Sequence, residues 1–349
     1  MSTTVCVAAY DVLAYPRGGG HLWAYLNWAL GFRELGCEVV WMERTPLCGD
    51  ELERARAQLE ARLEPYRLQR VVLIGPDEVP DADVLVSFDY RLPQSLVSRF
   101  ERSILVNVDP GLLEGWLAAG VLAAARYHAC VTTAEHGPDG SWQLARPVVA
   151  LGSWPVVPPP VDARFTTVTH WSGEEWYGDG ESGFANNKRD GFAPFLELPA
   201  SCPGASFELA IGAVDEEDRR ELEPRGWRVS DAHAVAGTPW GYQTYVQGSL
   251  AEFSCAKPAY QRLRTAWVSD RTVCYLASGR PAVVEDTGPS AYLPSDEGLL
   301  RFSTLDGAVR AVRAVLADPD GHSQAARRLA EERFAAERVL ADVLGRVSA

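Results

Sequence analysis

Residues 266–288 read AWVSDRTVCYLASGRPAVVEDTG, and this stretch decides the fold. Ser269 is a good N-cap, so the pattern predicts a helix that begins there. Gly279 suits the left-handed residue that ends a helix, and Pro281 prevents the helix from continuing. The apolar residues 282–284 then predict a short buried strand, which runs into an acidic loop. The stretch therefore predicts one helix–strand unit of an α/β sheet.

The composition is that of a globular protein with an acidic surface. At 349 residues the chain is long for one hydrophobic core, so two domains are expected. An apolar share of 47% and a charged share of 23% are ordinary for such a protein. The net charge of −14 argues against nucleic acid or an anionic membrane surface as a main partner.

The cysteines predict reduced thiols rather than a disulfide framework or a zinc site, because their number is odd and no CxxC pair occurs. They stand at positions 6, 37, 48, 130, 202, 255 and 274. No run approaches the roughly 18 apolar residues of a membrane-spanning helix, and no basic leader precedes the first predicted strand. We therefore expect a cytoplasmic protein without a membrane segment.

The first half of the chain alternates strand and helix patterns. Strands are predicted at residues 4–9, 38–42, 70–74, 84–87, 103–108 and 129–132, and helices at 21–35 and 52–63. Such alternation predicts a mainly parallel sheet with helices on both faces. Sheets of this kind bind ligands at the carboxyl ends of their strands.

A proline-rich segment, residues 153–162, divides the chain. We predict a semi-rigid linker there, between a first domain at residues 1–152 and a second at 163–325. Further strands are predicted at residues 165–168, 207–211, 227–229, 252–255 and 282–284. The tail, residues 326–349, has a helical composition.

The second half resembles bacterial glycosyltransferases of the GT-B superfamily. The resemblance lies in residues 165–171 (FTTVTHW), 252–257 (EFSCAK) and 266–288, and more weakly in 19–23 (GGHLW) and 30–36 (LGFRELG). It implies an α/β fold of two Rossmann-like domains that face a central cleft. It also implies a nucleotide-sugar donor on the second domain, an acceptor on the first, and a last helix that crosses back to the first domain.

The chain departs from the family's common donor motif at two positions. Where that motif has a Glu five residues before the Gly-x-Pro glycine, this chain has Cys274, and where many members have a paired Glu eight residues earlier, it has Ala266. The resemblance therefore leaves the ribose contact to Asp270 or Glu285. The nucleotide and the stereochemical outcome stay open.

Several residues near the predicted helix start are candidates for the donor. Ser269, Asp270 and Arg271 lie where unpaired backbone N–H groups and a guanidinium suit a diphosphate. Lys257 and Arg264 precede this helix and could complete a basic pocket around the leaving phosphates. The alternative is that the residues at the helix start only cap the helix and bind no ligand.

Other donor candidates follow predicted strands of the second domain. They are His170, Trp171, Lys188 and the acidic loop of Glu285, Asp286, Thr287 and Gly288. Trp171 could stack on a base or a sugar. The alternatives are a core aromatic for Trp171 and a solvated charge for Lys188.

The first domain offers two candidate bases. Gly18, Gly19 and Gly20 end the first loop, and His21 follows them at a predicted helix start. Inverting members of the family often carry a His here as the general base that deprotonates the acceptor hydroxyl, and histidine titrates near neutral pH. Asp109 could orient His21 or act as the base itself, or it could belong to a plain Asp-Pro-Gly turn.

Cofactor motifs are lacking. Glu43 follows a strand, but residues 17–21 read RGGGH and not GxGxxG, so a dinucleotide is not expected. A DxD pair at Asp81 and Asp83 precedes a strand rather than following one, and we interpret it as a solvated turn. No metal and no cofactor are predicted.

The prediction is a metal-independent glycosyltransferase that moves a sugar from a nucleotide-sugar to a small-molecule hydroxyl. The 11 tryptophans and 12 tyrosines favour an aromatic or hydrophobic acceptor, as in natural-product biosynthesis. Two alternatives are a sugar-nucleotide epimerase on the same fold and a non-catalytic module that binds a sugar or a nucleotide. The sugar, the base, the acceptor and the oligomeric state stay open.

Overall fold

The computed structural model describes residues 2–74, 79–110, 113, 116–117, 120, 124–135, 142–172, 176–177, 183–212 and 214–347. The chain divides into two compact units. Unit 1 comprises residues 1–150 and 334–349, and unit 2 comprises residues 151–333. In the part of the chain described, no helix is both long and apolar enough to cross a membrane.

Unit 1 contains a seven-stranded parallel sheet. Its strands are β1 (Thr4–Ala8), β2 (Glu38–Arg44), β3 (Val71–Ile74), β4 (Val84–Ser87), β5 (Arg102–Asn107), β6 (Ala129–Thr132) and β7 (Gln143–Leu144). They lie in the order β3-β2-β1-β4-β5-β6-β7. Val7 of β1 is opposite Trp41 on one side and Val86 on the other. The apolar runs of β1 and β4 are buried, as parallel strands covered on both faces must be.

Unit 1 includes the helices α1 (Gly19–Glu34), α2 (Gly49–Leu63) and α3 (Gln94–Val97), with a 3₁₀ turn at Glu64–Tyr66, and a further helix near the end of the chain that is described below. The predicted stop of α1 is confirmed. Gly36 has φ +82° and donates its N–H to Arg33 O, while Cys37 donates to Phe32 O. This pair of bonds is a Schellman motif, which a glycine in the left-handed region favours.

Unit 2 contains a six-stranded parallel sheet. Its strands are β8 (Phe165–His170), β11 (Phe207–Gly212), β12 (Trp227–Asp231), β13 (Ala251–Ser254), β14 (Ala282–Glu285) and β15 (Leu299–Phe302), while β9 (Trp176–Tyr177) and β10 (Phe184–Ala185) form a separate antiparallel pair. The order is β12-β11-β8-β13-β14-β15, so the strand order reverses at the neighbours β8 and β13, as it does in unit 1 at β1 and β4. This strand order is that of a Rossmann-like sheet, and the predicted fold class is confirmed.

In the described residues of unit 2, the helices are α4 (Lys188–Phe192), α5 (Leu198–Ser201), α6 (Glu216–Leu222), α7 (Ala232–Val235), α8 (Pro239–Gln247), α9 (Pro258–Leu263), α10 (Asp270–Ala277), α11 (Leu305–Ala317) and α12 (Pro319–Leu329). Short 3₁₀ turns occur at Leu151–Ser153, Ala193–Phe195 and Glu223–Arg225, and a π-helical turn at Ala330–Phe334. Aromatic rings fill the core: Phe253 stacks on Phe302 with centroids 5.3 Å apart.

The stretch that decides the fold has the predicted structure. The side chain of Ser269 accepts a hydrogen bond from Arg271 N (3.2 Å) and caps α10. Gly279 follows with φ +67°, and β14 begins at Ala282. The N-cap and the glycine that ends the helix therefore account for this helix–strand unit.

The proline-rich segment 153–162 belongs to unit 2. Gln247 Nε2 donates to Pro155 O (3.0 Å), Gln243 donates to Ser153 O, and Arg280 donates to Val157 O. Side chains of α8 and of the turn before β14 thus hold the backbone of the segment.

The end of the chain returns to unit 1, where helix α13 (Ala336–Gly345) packs on α1. Gly31 of α1 lies at the closest approach, because a Cβ added there would come within 2.5 Å of Ala336 Cβ. Val149 N donates to Phe334 O (2.9 Å), and Ala336 N donates to Val149 O (3.0 Å). These two bonds fix the entry of α13.

Candidate functional site

A polar pocket lies in unit 2 at the carboxyl ends of β13 and β14. Open α/β sheets bind ligands at such ends, next to the point where the strand order reverses. The pocket has a volume of about 300 Å³, which includes space open to solvent. It is lined by Lys188, Ser254, Cys255, Ala256, Trp267, Val268, Ser269, Arg271, Thr272, Val284, Glu285 and Thr287.

Helix α10 points its first turn at this pocket. Val268, Ser269 and Thr272 line it together with Arg271. The first backbone N–H groups of a helix have no partner within the helix, and the helix dipole favours negative charge there. One end of the pocket is therefore suited to an anion.

The side chain of Arg271 forms hydrogen bonds with both central strands of the sheet, β8 and β13. Its Nε donates to Glu252 Oε1 (2.7 Å), its Nη1 to Val168 O (3.1 Å) and its Nη2 to Ser254 Oγ. The carboxylate of Glu252 is fully buried. Within the described residues, three of the five N–H groups of the guanidinium thus donate to protein atoms. The sequence suggested only the ligand role, because the Glu252 pair joins residues 19 positions apart.

Lys188 is buried in the pocket. Its ammonium group donates to Cys255 O. Burial, and then the neighbouring Arg271, lower the pKa of Lys188 to about 7. The chain has only two lysines, Lys188 and Lys257, and it places one of them where its charge is costly.

Helix α4 fixes the position of Lys188. Asn187 caps it by accepting a hydrogen bond from Asp190 N (2.9 Å). A Cβ on Gly191 would come within 2.0 Å of Ala256 O, so only glycine lets α4 approach the loop after β13 this closely. The lysine is consequently held at the pocket wall.

Glu285 lies on the same wall at the end of β14. Its Oε2 accepts a hydrogen bond from Ala256 N (2.8 Å). Burial raises the pKa of Glu285 to about 7, although Ala256 N–H and Lys188 oppose the rise. An amine and a carboxyl with oppositely shifted pKa values therefore share one pocket, which is a pattern of functional sites.

The rest of the acidic loop is mostly structural. Asp286 accepts from Gly288 N (2.9 Å) and pairs with Arg301 (3.2 Å) and more loosely with Arg264 (3.8 Å). Gly288 has φ +133°, and a Cβ there would come within 2.5 Å of Arg264 O. Thr287 is the member of the loop that joins Glu285 in lining the pocket, and its Oγ1 donates to Trp267 O (2.7 Å).

Besides Arg264, Asp286 and Gly288, four more donor candidates lie outside the pocket lining. The expectation that Trp171 stacks on a ligand is wrong, since the ring is 2% exposed in the core and packs on Phe192 with centroids 5.4 Å apart. His170 is exposed at the end of β8. Lys257, at the N-cap position of α9, and Asp270, the first residue of α10, are partly buried. None of the four is among the residues that line the described pocket.

Sequence reasoning missed Trp267. It lines the pocket, and its ring stacks on Tyr260 with centroids 4.1 Å apart and planes 8° apart. The only local signal is an aromatic residue two positions before the N-cap of α10. That signal does not reveal the stacking partner, which comes from α9.

In unit 1, His21 lies in the first turn of α1. Its Nε2 is 2.7 Å from Tyr10 O, and Tyr25 Oη donates to the same oxygen (3.2 Å). Because a carbonyl only accepts, Nε2 carries the hydrogen, and a neutral His21 holds its lone pair on Nδ1. Gly18 lets this turn pack closely, since a Cβ there would lie 3.2 Å from His21 Cβ. Gly19 and Gly20 are the first two residues of α1.

Asp109 follows β5 and is partly buried. Its N–H donates to Asn107 Oδ1 (3.0 Å), which is the geometry of an Asx turn. Asp83, of the DxD pair, accepts from Thr4 N (2.8 Å) at the amino end of β4, so it anchors β1 rather than facing a ligand edge.

No protein-family model matches the sequence, and no curated protein matches it. Solved structures do match over the whole chain. AviGT4, a glycosyltransferase involved in avilamycin A biosynthesis, is 14% identical, with 99% of this chain and 97% of that chain covered and a TM-score of 0.60. HepE of Anabaena in complex with UDP-glucose is 10% identical, with 99% of each chain covered and a TM-score of 0.61. An alpha-glucosyltransferase in complex with UDP and a 13-mer DNA is 12% identical, with both chains fully covered and a TM-score of 0.63.

This chain shares the fold of these glycosyltransferases, with two Rossmann-like α/β units. In the described residues, chemistry-bearing side chains gather at the carboxyl ends of strands in the pocket of unit 2 and at the start of α1 in unit 1. Unit 2 offers an amine, a carboxyl and a helix N-terminus, and unit 1 offers an imidazole.

Proposed function

We propose that the chain is a metal-independent glycosyltransferase that moves a sugar from a nucleotide-sugar to the hydroxyl of a small-molecule acceptor. The observation that carries the proposal is the buried Lys188 beside the first turn of α10. Burial and the neighbouring cation Arg271 both destabilise the ammonium of Lys188, so an anion that enters the pocket stabilises it, and a diphosphate supplies that charge.

The pocket supports a role for each donor residue. Lys188 and the N–H groups of α10 bind the diphosphate, and the positive charge of Arg271 on the pocket lining assists. They stabilise the charge that develops on the leaving phosphate as the glycosidic bond breaks. Of the two candidates for the ribose contact, Glu285 is favoured over Asp270 because its carboxyl lines the pocket. Trp267 offers an apolar wall next to it.

On unit 1, His21 is the proposed base. Its imidazole accepts the proton of the acceptor hydroxyl while the hydroxyl oxygen attacks the anomeric carbon and the nucleoside diphosphate leaves. Asp109 is the alternative base.

The partner proposals follow from charge and from the relatives. UDP-glucose is the first donor to test, because HepE and the alpha-glucosyltransferase were solved with it. The alpha-glucosyltransferase was also solved with DNA, but a net charge of −14 disfavours a polyanionic acceptor here. We propose a small aromatic or hydrophobic acceptor, natural-product biosynthesis as the setting, and a cytoplasmic location.

Thermal unfolding with UDP-glucose, UDP, GDP and dTDP tests the donor site. A ligand at about a hundred times its dissociation constant should stabilise the fold by roughly 2.7 kcal/mol. Lys188→Met should remove this effect, whereas Lys257→Met, which changes the only other lysine, should keep most of it. A donor that is consumed with a small hydroxyl compound and yields a glycoside supports a transferase. Conversion into a different sugar nucleotide, or no stabilisation by any of the four, would overturn the proposal.

A further inference from the structure

The β1–α1 loop, residues 9–18, sets the position of His21. The carbonyl of Tyr10 lies in this loop and accepts hydrogen bonds from both His21 and Tyr25. Asp11, the next residue, has φ +53°, a left-handed conformation that a non-glycine residue adopts only when its surroundings hold it there. The position of the His21 imidazole therefore depends on the conformation of this loop.

Two buried charged side chains hold this loop. Glu43, at the end of β2, is 2% exposed, and its Oε1 accepts from Leu13 N (2.7 Å). Arg62, in the last turn of α2, is 9% exposed and donates its Nη2 to Gly18 O (3.5 Å). Glu43 Oε2 and Arg62 Nε have no hydrogen-bond partner in the described part of the chain. Hydrogen bonds thus hold the loop near its middle, at Leu13, and at its end, at Gly18.

A third side chain that holds the loop is Arg91, which follows β4, the neighbour of β1 on the side away from β2. Arg91, after β4, donates to both carboxylate oxygens of Asp11 (2.8 and 3.2 Å) and to Asp89 (2.9 Å). Its guanidinium carbon also lies 4.2 Å from the centre of the Tyr10 ring. The loop is therefore held by side chains from three different elements.

Burying the carboxyl of Glu43 costs free energy of folding, which indicates that this side chain has a specific role. Burial raises the pKa of Glu43 to about 7; Asp11 and Asp89 add to the rise, and Leu13 N–H and Arg62 oppose it. An apolar residue in this place would avoid that cost, but it could not accept the N–H of Leu13. The carboxyl therefore serves the loop rather than the hydrophobic core.

We propose that Glu43, assisted by Arg62, is a positioning residue that holds the β1–α1 loop so that Tyr10 O binds His21 Nε2 and fixes the orientation of the imidazole. The inference rests on the proposed role of His21 as the base. Glu43 itself touches no reacting atom in this scheme and acts through Leu13 and Tyr10.

The test reads the imidazole directly. The full chain is labelled with ¹⁵N-histidine, and the His21 signal among the six histidines is assigned by its loss in His21→Gln. Glu43→Ala should move the ¹⁵N shifts of His21 towards those of an imidazole in water. Glu43→Gln, which keeps an acceptor oxygen for Leu13 N, should restore them. Glu38→Gln is the matched control, because Glu38 is an exposed residue at the opposite end of β2. Unchanged His21 signals in folded Glu43→Ala would overturn the proposal.

Hydrogen exchange gives a second measurement on the same proteins. Loss of a hydrogen bond to a carboxylate should speed exchange of the loop amides about tenfold or more. If Glu43→Ala does not fold, Arg91→Gln releases Asp11 from an exposed position and should move the same signals in the same direction; no change in this folded variant would also count against the proposal. Neither readout needs a donor or acceptor, so a failed donor screen would overturn the proposed function and leave this result standing.

Discussion

Replacing Lys188 by methionine should change the pH dependence of both folding and donor binding. The pKa of Lys188 is lowered from 10.5 to about 7 in the folded chain. Between these values the unfolded chain binds one proton more than the native chain, so the free energy of unfolding rises with pH. The slope approaches 1.4 kcal/mol per pH unit, or about 2–3 kcal/mol between pH 7 and pH 9. Lys188→Met should lack this contribution.

The affinity for the donor should change with pH in the opposite direction to the free energy of unfolding. A bound diphosphate stabilises the ammonium, so above about pH 7 the complex forms with uptake of a proton. The affinity of the wild type should therefore fall roughly tenfold per pH unit between pH 7 and pH 9. UDP-glucose is the right probe, because its diphosphate does not titrate in this range. Lys188→Met should bind weakly, with little dependence on pH.

Urea unfolding and calorimetry measure these two slopes, and NMR measures their cause. A protein made with ¹³C-lysine gives two side-chain signals, because Lys188 and Lys257 are the only lysines. The Lys188 signal should titrate near pH 7 in the free protein and at higher pH with UDP-glucose bound. Titration of Lys188 near 10.5 in the folded chain, or equal binding slopes in wild type and variant, would refute the reasoning.

Three further predictions concern stability. Arg271→Met leaves the buried carboxylate of Glu252 unpaired and should cost about 3–5 kcal/mol in urea unfolding, most of which the double variant with Glu252→Gln should recover; a small loss in the single variant would count against the pair. Gly31→Ala, at the contact of α1 with α13, should cost about 1–3 kcal/mol by overpacking, whereas Gly345→Ala has no neighbour within 4 Å and should cost little. The raised pKa of Glu43 should make the free energy of unfolding fall by up to about 1.4 kcal/mol per pH unit from pH 4.5 to pH 7, relative to Glu43→Gln; parallel pH profiles of the two proteins would contradict this.

The sequence by itself determined the local units. The N-cap at Ser269, the stop at Gly279 and the Schellman ending at Gly36 depend on residues within a few positions of one another. The backbone preferences of serine, glycine and proline act over that distance, so the pattern was sufficient. The alternation of such units then implied a parallel sheet, and thus the fold class.

Only the tertiary structure decided what the candidate side chains do. Arg271 was visible as a cation at a helix start, but its pairing with Glu252 depends on β13 lying beside the start of α10. Trp171 follows a strand in the sequence, yet it is buried because α4 folds over it. Lys188 differs from an ordinary surface lysine only because Gly191 lets α4 lie against residue 256. Burial and pairing depend on groups far apart in the sequence, and these set the charge of a side chain and the atoms it can reach.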